Sequence, residues 1–176
     1  MSNGGNGYVL YDNYKEIIGV YDVLMDRIAR NFLGDNNISK DITPGSKNVF
    51  IVHGRDEGML DDVSLYLKSI GLIPVILYKE TNAGRTLIEK FETFSSKCQY
   101  AIILLSPDDI GALSGEHKGE MEKRARQNVV FEFGYFIGKL GRANVCSLLK
   151  GGVVEPSDLD GLVYIPYDRN EKKKKI

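Results

Sequence analysis

The feature that most constrains this chain is a series of short, almost wholly apolar runs, each followed by a loop or a helix-like segment. The runs cover residues 49–52, 72–77, 100–105, 145–149 and 162–165. A strand with one wet face alternates apolar and polar side chains, so a continuous run belongs to a strand covered on both faces. The intervening segments have helical character over residues 57–69, 86–97 and 128–140, and Gly71 and Gly141 supply two of the stops. Strands alternating with helices imply an α/β fold, a parallel sheet with helices on both faces. Ligands of such sheets sit beyond the carboxyl ends of the strands, where the strand order reverses. That rule points to His53 after the first run, to the polar loop 78–85 after the second, and to residues 106–109 after the third.

The first third of the chain reads differently. Residues 1–11 are a leader rich in Gly and Asn. Residues 13–33 predict an amphipathic helix, with Asn13 as its cap and Glu16 placed to complete a capping box. Tyr14, Ile17, Ile18, Tyr21, Leu24, Met25, Ile28 and Phe32 recur at helical spacing, and Gly34 ends the pattern. Residues 35–47 have the composition of a linker. The expected organisation is therefore an N-terminal segment 1–47, an α/β domain 48–168 and a lysine-rich tail 169–176, read as solvated.

Composition narrows the function classes. With a formal net charge of −1, the chain has no global field for nucleic acid or an anionic membrane. No apolar run approaches the roughly 20 residues of a spanning helix, and the leader has no apolar core of a secretion signal, so a cytoplasmic protein is expected. Cys98 and Cys146 have no Cys or His at metal-ligand spacing and read as buried reduced thiols.

Glu132 stands out on physical grounds. It is the one ionisable carboxyl in Val129-Val-Phe-Glu-Phe-Gly-Tyr-Phe-Ile137, a stretch apolar enough to predict a helix buried all round. A carboxylate there must be paired, protonated or turned to a wet cleft. A static ion pair with Arg124 or Arg126 is the structural alternative to a functional role. Asn128, four residues earlier, shares the face of Glu132, while Gly134 and Gly138 are expected to let the helix approach a neighbour closely. The loop with Asn82, Gly84 and Arg85, just ahead of a helix, offers backbone N–H groups and a cation to a phosphate. His53 is read as a substrate contact rather than a base, since no Ser or Cys nucleophile motif accompanies it. Asp108 and Asp109 could bind a metal as the acidic residues of receiver domains do, but no matching acidic pair stands directly after the first strand, and no metal is expected.

Several of these segments together resemble the TIR-like domain of prokaryotic cyclic-nucleotide-activated anti-phage effectors, including TIR–STING fusions. They are Val49-Phe-Ile-Val-His-Gly-Arg-Asp56, Ala83-Gly-Arg-Thr-Leu-Ile-Glu-Lys-Phe91, Leu104-Leu-Ser-Pro-Asp-Asp109, Tyr164-Ile-Pro-Tyr167 and, the longest, Arg124-Ala-Arg-Gln-Asn-Val-Val-Phe-Glu-Phe-Gly-Tyr-Phe-Ile-Gly-Lys-Leu-Gly141. The resemblance implies a five-stranded flavodoxin-like sheet and NAD glycohydrolase activity. It also implies that Glu132 is the catalytic glutamate of the family's third helix and that 78–85 is its mobile BB loop. Two departures stand out: no clear closing helix follows Ile165, and no sensor domain follows the α/β domain.

NAD hydrolysis suits a site with one carboxylate. Nicotinamide leaves a cationic ring as a neutral one, so no acid need protonate it, unlike the two-carboxyl glycosidases. Glu132 would hold the ribose hydroxyls and stabilise an oxocarbenium-like transition state. Arg55, Gly84 and Arg85, with His53, Gly54, Asn82 and Ser106 around them, are the expected contacts for the rest of the dinucleotide; Asn128 and Phe131 line the nicotinamide-ribose side. NAD is a substrate here, no cofactor is expected, and the products are nicotinamide and ADP-ribose or its cyclic form. Expected partners are further copies, through TIR–TIR contacts, and a cyclic-nucleotide sensor outside this chain. The competing readings are a non-enzymatic TIR assembly module and a nucleoside deoxyribosyltransferase-like enzyme.

Overall fold

A computed structural model describes residues 46–77, 86–112, 121–156 and 164–167. The predicted helix 13–33, the N-terminal segment as far as residue 45, the loop with Asn82, Gly84 and Arg85, and the lysine-rich tail lie outside the described residues.

The elements run β1 (Asn48–Val52), α1 (Glu57–Ser69), β2 (Ile73–Val75), α2 (Leu87–Ser95), β3 (Tyr100–Leu105), β4 (Asp109–Gly111), β5 (Glu122–Arg124), α3 (Gln127–Leu140), β6 (Val145–Lys150) and β7 (Tyr164–Tyr167). Five of the strands form one sheet in the order β2-β1-β3-β6-β7, and every pairing in it is parallel. This is the expected flavodoxin-like order. The chain leaves β1 towards one edge and returns to β3 on the other side, so the reversal falls between the carboxyl ends of β1 and β3.

Alternate strand residues feed two cores. Val49, Ile51, Ile102, Leu104, Leu148 and Ile165 pack with Met59, Leu60, Val63 and Leu67 of α1. Phe50, Val52, Ala101, Ile103 and Leu105 pack with Phe91 of α2 and with Val129, Phe133, Phe136 and Leu140 of α3. The sheet is thus covered on both faces, which is why its strands read as continuous apolar runs. Each of these large side chains contributes about 1.5–3 kcal/mol on full burial. Cys98 and Cys146 are both buried, and neither forms a disulfide.

The local signals are legible in the elements. Asp56 caps α1, its Oδ1 accepting from Met59 N–H at 3.0 Å. Thr86 and Glu89 form a capping box at the start of α2. Gly141 ends α3 with φ of 76°, a conformation that favours glycine. β7 tolerates Pro166 because it is an edge strand, where a missing N–H breaks no second ladder. Tyr167 donates to Asp62 Oδ2 at 2.6 Å and so ties that edge back to α1.

Four expectations need correction. β2 is shorter than the run 72–77, because its pairing with β1 stops at Val75. The last strand runs on past Ile165 to Tyr167, while residues 162 and 163 lie outside the described residues. The polar stretch before α3 contains an antiparallel ribbon, β4 with β5, in which Asp109 faces Arg124; its three-residue strands are too short to show a period. Finally, α3 is not buried all round. Its inward face is covered, but Val130 is 39% and Phe131 61% exposed. Among the described residues a Cβ at Gly134 or Gly138 would meet nothing within 4 Å, so neither glycine serves a close helix contact there.

Candidate active site

At the reversal point, the loops after β1 and β3 are joined by one carboxylate that the sequence suggests only as a metal ligand. Asp108 Oδ2 accepts from the backbone N–H of Arg55 at 2.9 Å and from Ser106 Oγ at 2.9 Å. Gly54 is buried beneath it, where a Cβ would lie 1.7 Å from the same oxygen. His53 is half-buried, with Nδ1 2.9 Å from Gly54 O. The structure therefore brings His53, Gly54, Arg55 and Ser106 together, with Asp108 as the latch. A second tie crosses the same edge: Lys150 at the end of β6 pairs with Asp56 Oδ2 at the start of α1. The usable signal for Asp56 is its place just ahead of a helix; Lys150 carries none.

Glu132 lies in the second turn of α3. Residues 129, 133, 136 and 140 point into the core. At 100° per residue, Asn128, Glu132, Tyr135 and Lys139 then fall on one flank of the helix. That flank faces α2: the Tyr135 ring lies 4.7 Å from that of Phe91, and Tyr135 OH is 3.2 Å from Ser95 Oγ. One turn back along α3, Glu132 comes level with the first turn of α2, immediately after the 78–85 segment. Asn128 is exposed on the same flank, while Phe131 turns outward.

The Glu132 carboxyl is half-buried, and burial raises its pKa from 4.5 to about 7. The cause is lost hydration, which penalises the charged form. Among the described residues no cation is paired with it. Arg124 instead pairs with Glu122 Oε2 at 3.2 Å, and Arg126 sits at the cap position of α3 without a side-chain cap bond. The static ion pair that the sequence allows does not form with Arg124. A carboxylate held in this state gains from any positive charge that arrives or develops beside it.

The other flank of α3 borders a cleft of about 900 Å³, lined by Leu105, Ile110, Arg124, Gln127, Val130 and Val154 among others. Val130 lies about 200° round the helix from Glu132, so the cleft and the carboxyl occupy opposite sides of α3. The large cleft is therefore not the Glu132 site, and its acidic lining, which includes Asp108, Asp109 and Glu155, is poorly suited to a diphosphate. Among the described residues no group of three or more His, Cys, Asp or Glu is placed to hold a metal ion, and no helix is long and apolar enough to cross a membrane.

Comparison with known proteins places the domain in a family. Residues 48–169 match the family model described as CAP12/Pycsar effector protein, TIR domain. The chain is 44% identical over 127 residues to the uncharacterised protein YuaY of Escherichia coli K12, covering 72% of this chain and 42% of that protein. It is 40% identical over 133 residues to protein tirC of Dictyostelium discoideum, covering 71% of this chain and 66% of the relative. Over 87 residues it is 39% identical to the Pycsar effector protein PaPycTIR of Pseudomonas aeruginosa, covering 48% of this chain and 27% of that protein. The chain thus spans less than two thirds of the length of these relatives. The match embraces both cores, the latched loops and all of α3, and on that basis the chain belongs to the TIR domain family of CAP12/Pycsar effector proteins.

Proposed function

We propose that this domain is an NAD glycohydrolase that breaks the nicotinamide–ribose bond, with Glu132 as the catalytic carboxylate. The observation that carries the reading is the state of that side chain: a half-buried, desolvated carboxyl, unpaired among the described residues. It stands at the carboxyl-end mouth between α2 and α3. Positive charge builds on the ribose only as nicotinamide departs, so a carboxylate starved of counter-charge stabilises the transition state more than the bound substrate. Arg55 and the 78–85 segment, with Asn82, Gly84 and Arg85, supply the contacts to the diphosphate, and Asn128 those to the nicotinamide end. NAD enters as substrate, and no step calls for a metal. The experiment is nicotinamide release from NAD, run beside a deoxynucleoside exchange assay, on wild type and Glu132→Gln; release that depends on Glu132 is the expected result.

A second reading, assembly through contact with another copy, is favoured by the outward stripe of α3. Phe131 is 61% and Val130 39% exposed there, and among the described residues nothing lies against Gly134 and Gly138 beside them. Self-association fits the first reading as its gate, with a cyclic-nucleotide sensor outside this chain as the input. Specific activity should then rise with protein concentration. A flat specific activity over a wide dilution series would leave the enzyme ungated by association.

A further inference from the structure

The flank of α3 that carries Glu132 also carries a small hydrogen-bond network that the reaction does not consume. Lys139 Nζ donates to Ser95 Oγ at 3.0 Å and to Tyr135 OH at 3.1 Å. Ser95, fully buried on α2, donates in turn to Glu92 O at 3.0 Å and lies 3.2 Å from Tyr135 OH. The donors and acceptors admit one consistent direction: Lys139 to Tyr135 and Ser95, Tyr135 to Ser95, and Ser95 to the backbone of α2. The ammonium also lies 5.4 Å from the centre of the Tyr135 ring.

The ordinary role of a lysine in the last turn of a helix is to answer the last carbonyls or remain in water. Lys139 does neither. Its ammonium is turned sideways onto α2, and among the described residues it meets no carboxylate. Holding a half-buried cation on two hydroxyls costs hydration, so the arrangement needs a return, and what it fixes is the spacing of the two helices. α2 follows directly on the 78–85 segment, and α3 carries Glu132 one turn before Tyr135. We infer that Lys139, bridged to Ser95 and Tyr135, is a positioning residue that sets the gap between the Glu132 helix and the helix following the 78–85 segment. This rests on the NAD reading of the Glu132 site for its consequence, though not for its structural content.

Near-attack geometry is steeply sensitive to placement, a 1 Å error costing on the order of 100-fold. Lys139→Met should lower kcat by about 10- to 100-fold with KM changed less than about 3-fold, while Lys139→Arg, which keeps the charge and the donors, should restore most of the rate. Ser95→Ala should reproduce part of the loss. Amide exchange provides the second arm: in the intact chain Lys139→Met should speed exchange over the last turn of α2, where Ser95 sits, and leave α1 and β3 protected. Wild type and Glu132→Gln run alongside, so a chain that does not release nicotinamide refutes the NAD reading while the exchange arm still judges the brace. Unchanged exchange in α2 overturns the brace. A kcat loss that Arg fails to restore, or one matched by a global fall in protection, overturns the positioning role.

Discussion

The Asp108 carboxylate occupies the space that a side chain on Gly54 would need: a Cβ there would lie 1.7 Å from Oδ2. The oxygen cannot step aside cheaply, because it holds Arg55 N–H and Ser106 Oγ at 2.9 Å each. Gly54→Ala should therefore cost about 2–4 kcal/mol, the value of two bonds to a charged acceptor in a partly buried place. In an Asp108→Ala background the same change should cost under about 1 kcal/mol, since the obstacle has gone. Chemical denaturation of the four chains measures the coupling, and equal costs in both backgrounds would break the account of this latch.

The capping box at α2 gives a smaller, local effect. Thr86 Oγ1 and the Thr86 backbone N–H both meet Glu89 Oε2 at 2.8 Å. Thr86→Ala should cost about 0.5–2 kcal/mol and fray the turn nearest Glu132. Amide exchange at the start of α2 is the sensitive readout, because global melting dilutes so local a change.

Much of the fold is legible in the sequence because the sheet is covered on both faces, so that a run such as 100–105, too short for a buried helix, reads as a strand with no wet face. α3 misleads for a related reason. Phe131 and Val130 give it an apolar circumference, and composition cannot distinguish burial from an apolar outward stripe. The ribbon of β4 and β5 is hidden because three residues carry no period. At the site, Glu132 is legible as a charge out of place. The Asp108 latch and the Lys139 network are not, since each depends on partners far apart in the chain: Arg55 with Asp108, and Ser95 with Lys139.

The raised pKa of Glu132 makes a signed prediction about pH. Between pH 4.5 and about 7 the folded chain keeps a proton that the unfolded chain gives up. Stability owed to this group therefore falls as pH rises through that window and is level above it. Glu132→Gln removes the penalty. The variant should match wild type near pH 4.5 and be more stable above pH 7 by about 1–2 kcal/mol, allowing for solvent screening of a half-buried group. Turnover has the opposite slope, rising through about pH 7 as the carboxylate forms. Parallel melting and rate profiles test both; a Gln variant less stable than wild type at pH 8 would contradict the desolvated carboxyl.

Nicotinamide release from NAD by Glu132→Gln and wild type at pH 8, with melting temperature recorded on the same samples, decides whether Glu132 is catalytic. Gln keeps the size and hydrogen-bonding capacity of the side chain and removes its charge. The rate should be lower by about 100- to 1,000-fold, the usual worth of one preorganised electrostatic contact, with NAD binding changed far less and the melting temperature higher. A variant that melts early yet releases nicotinamide at the wild-type rate would make Glu132 a structural residue and contradict the mechanism.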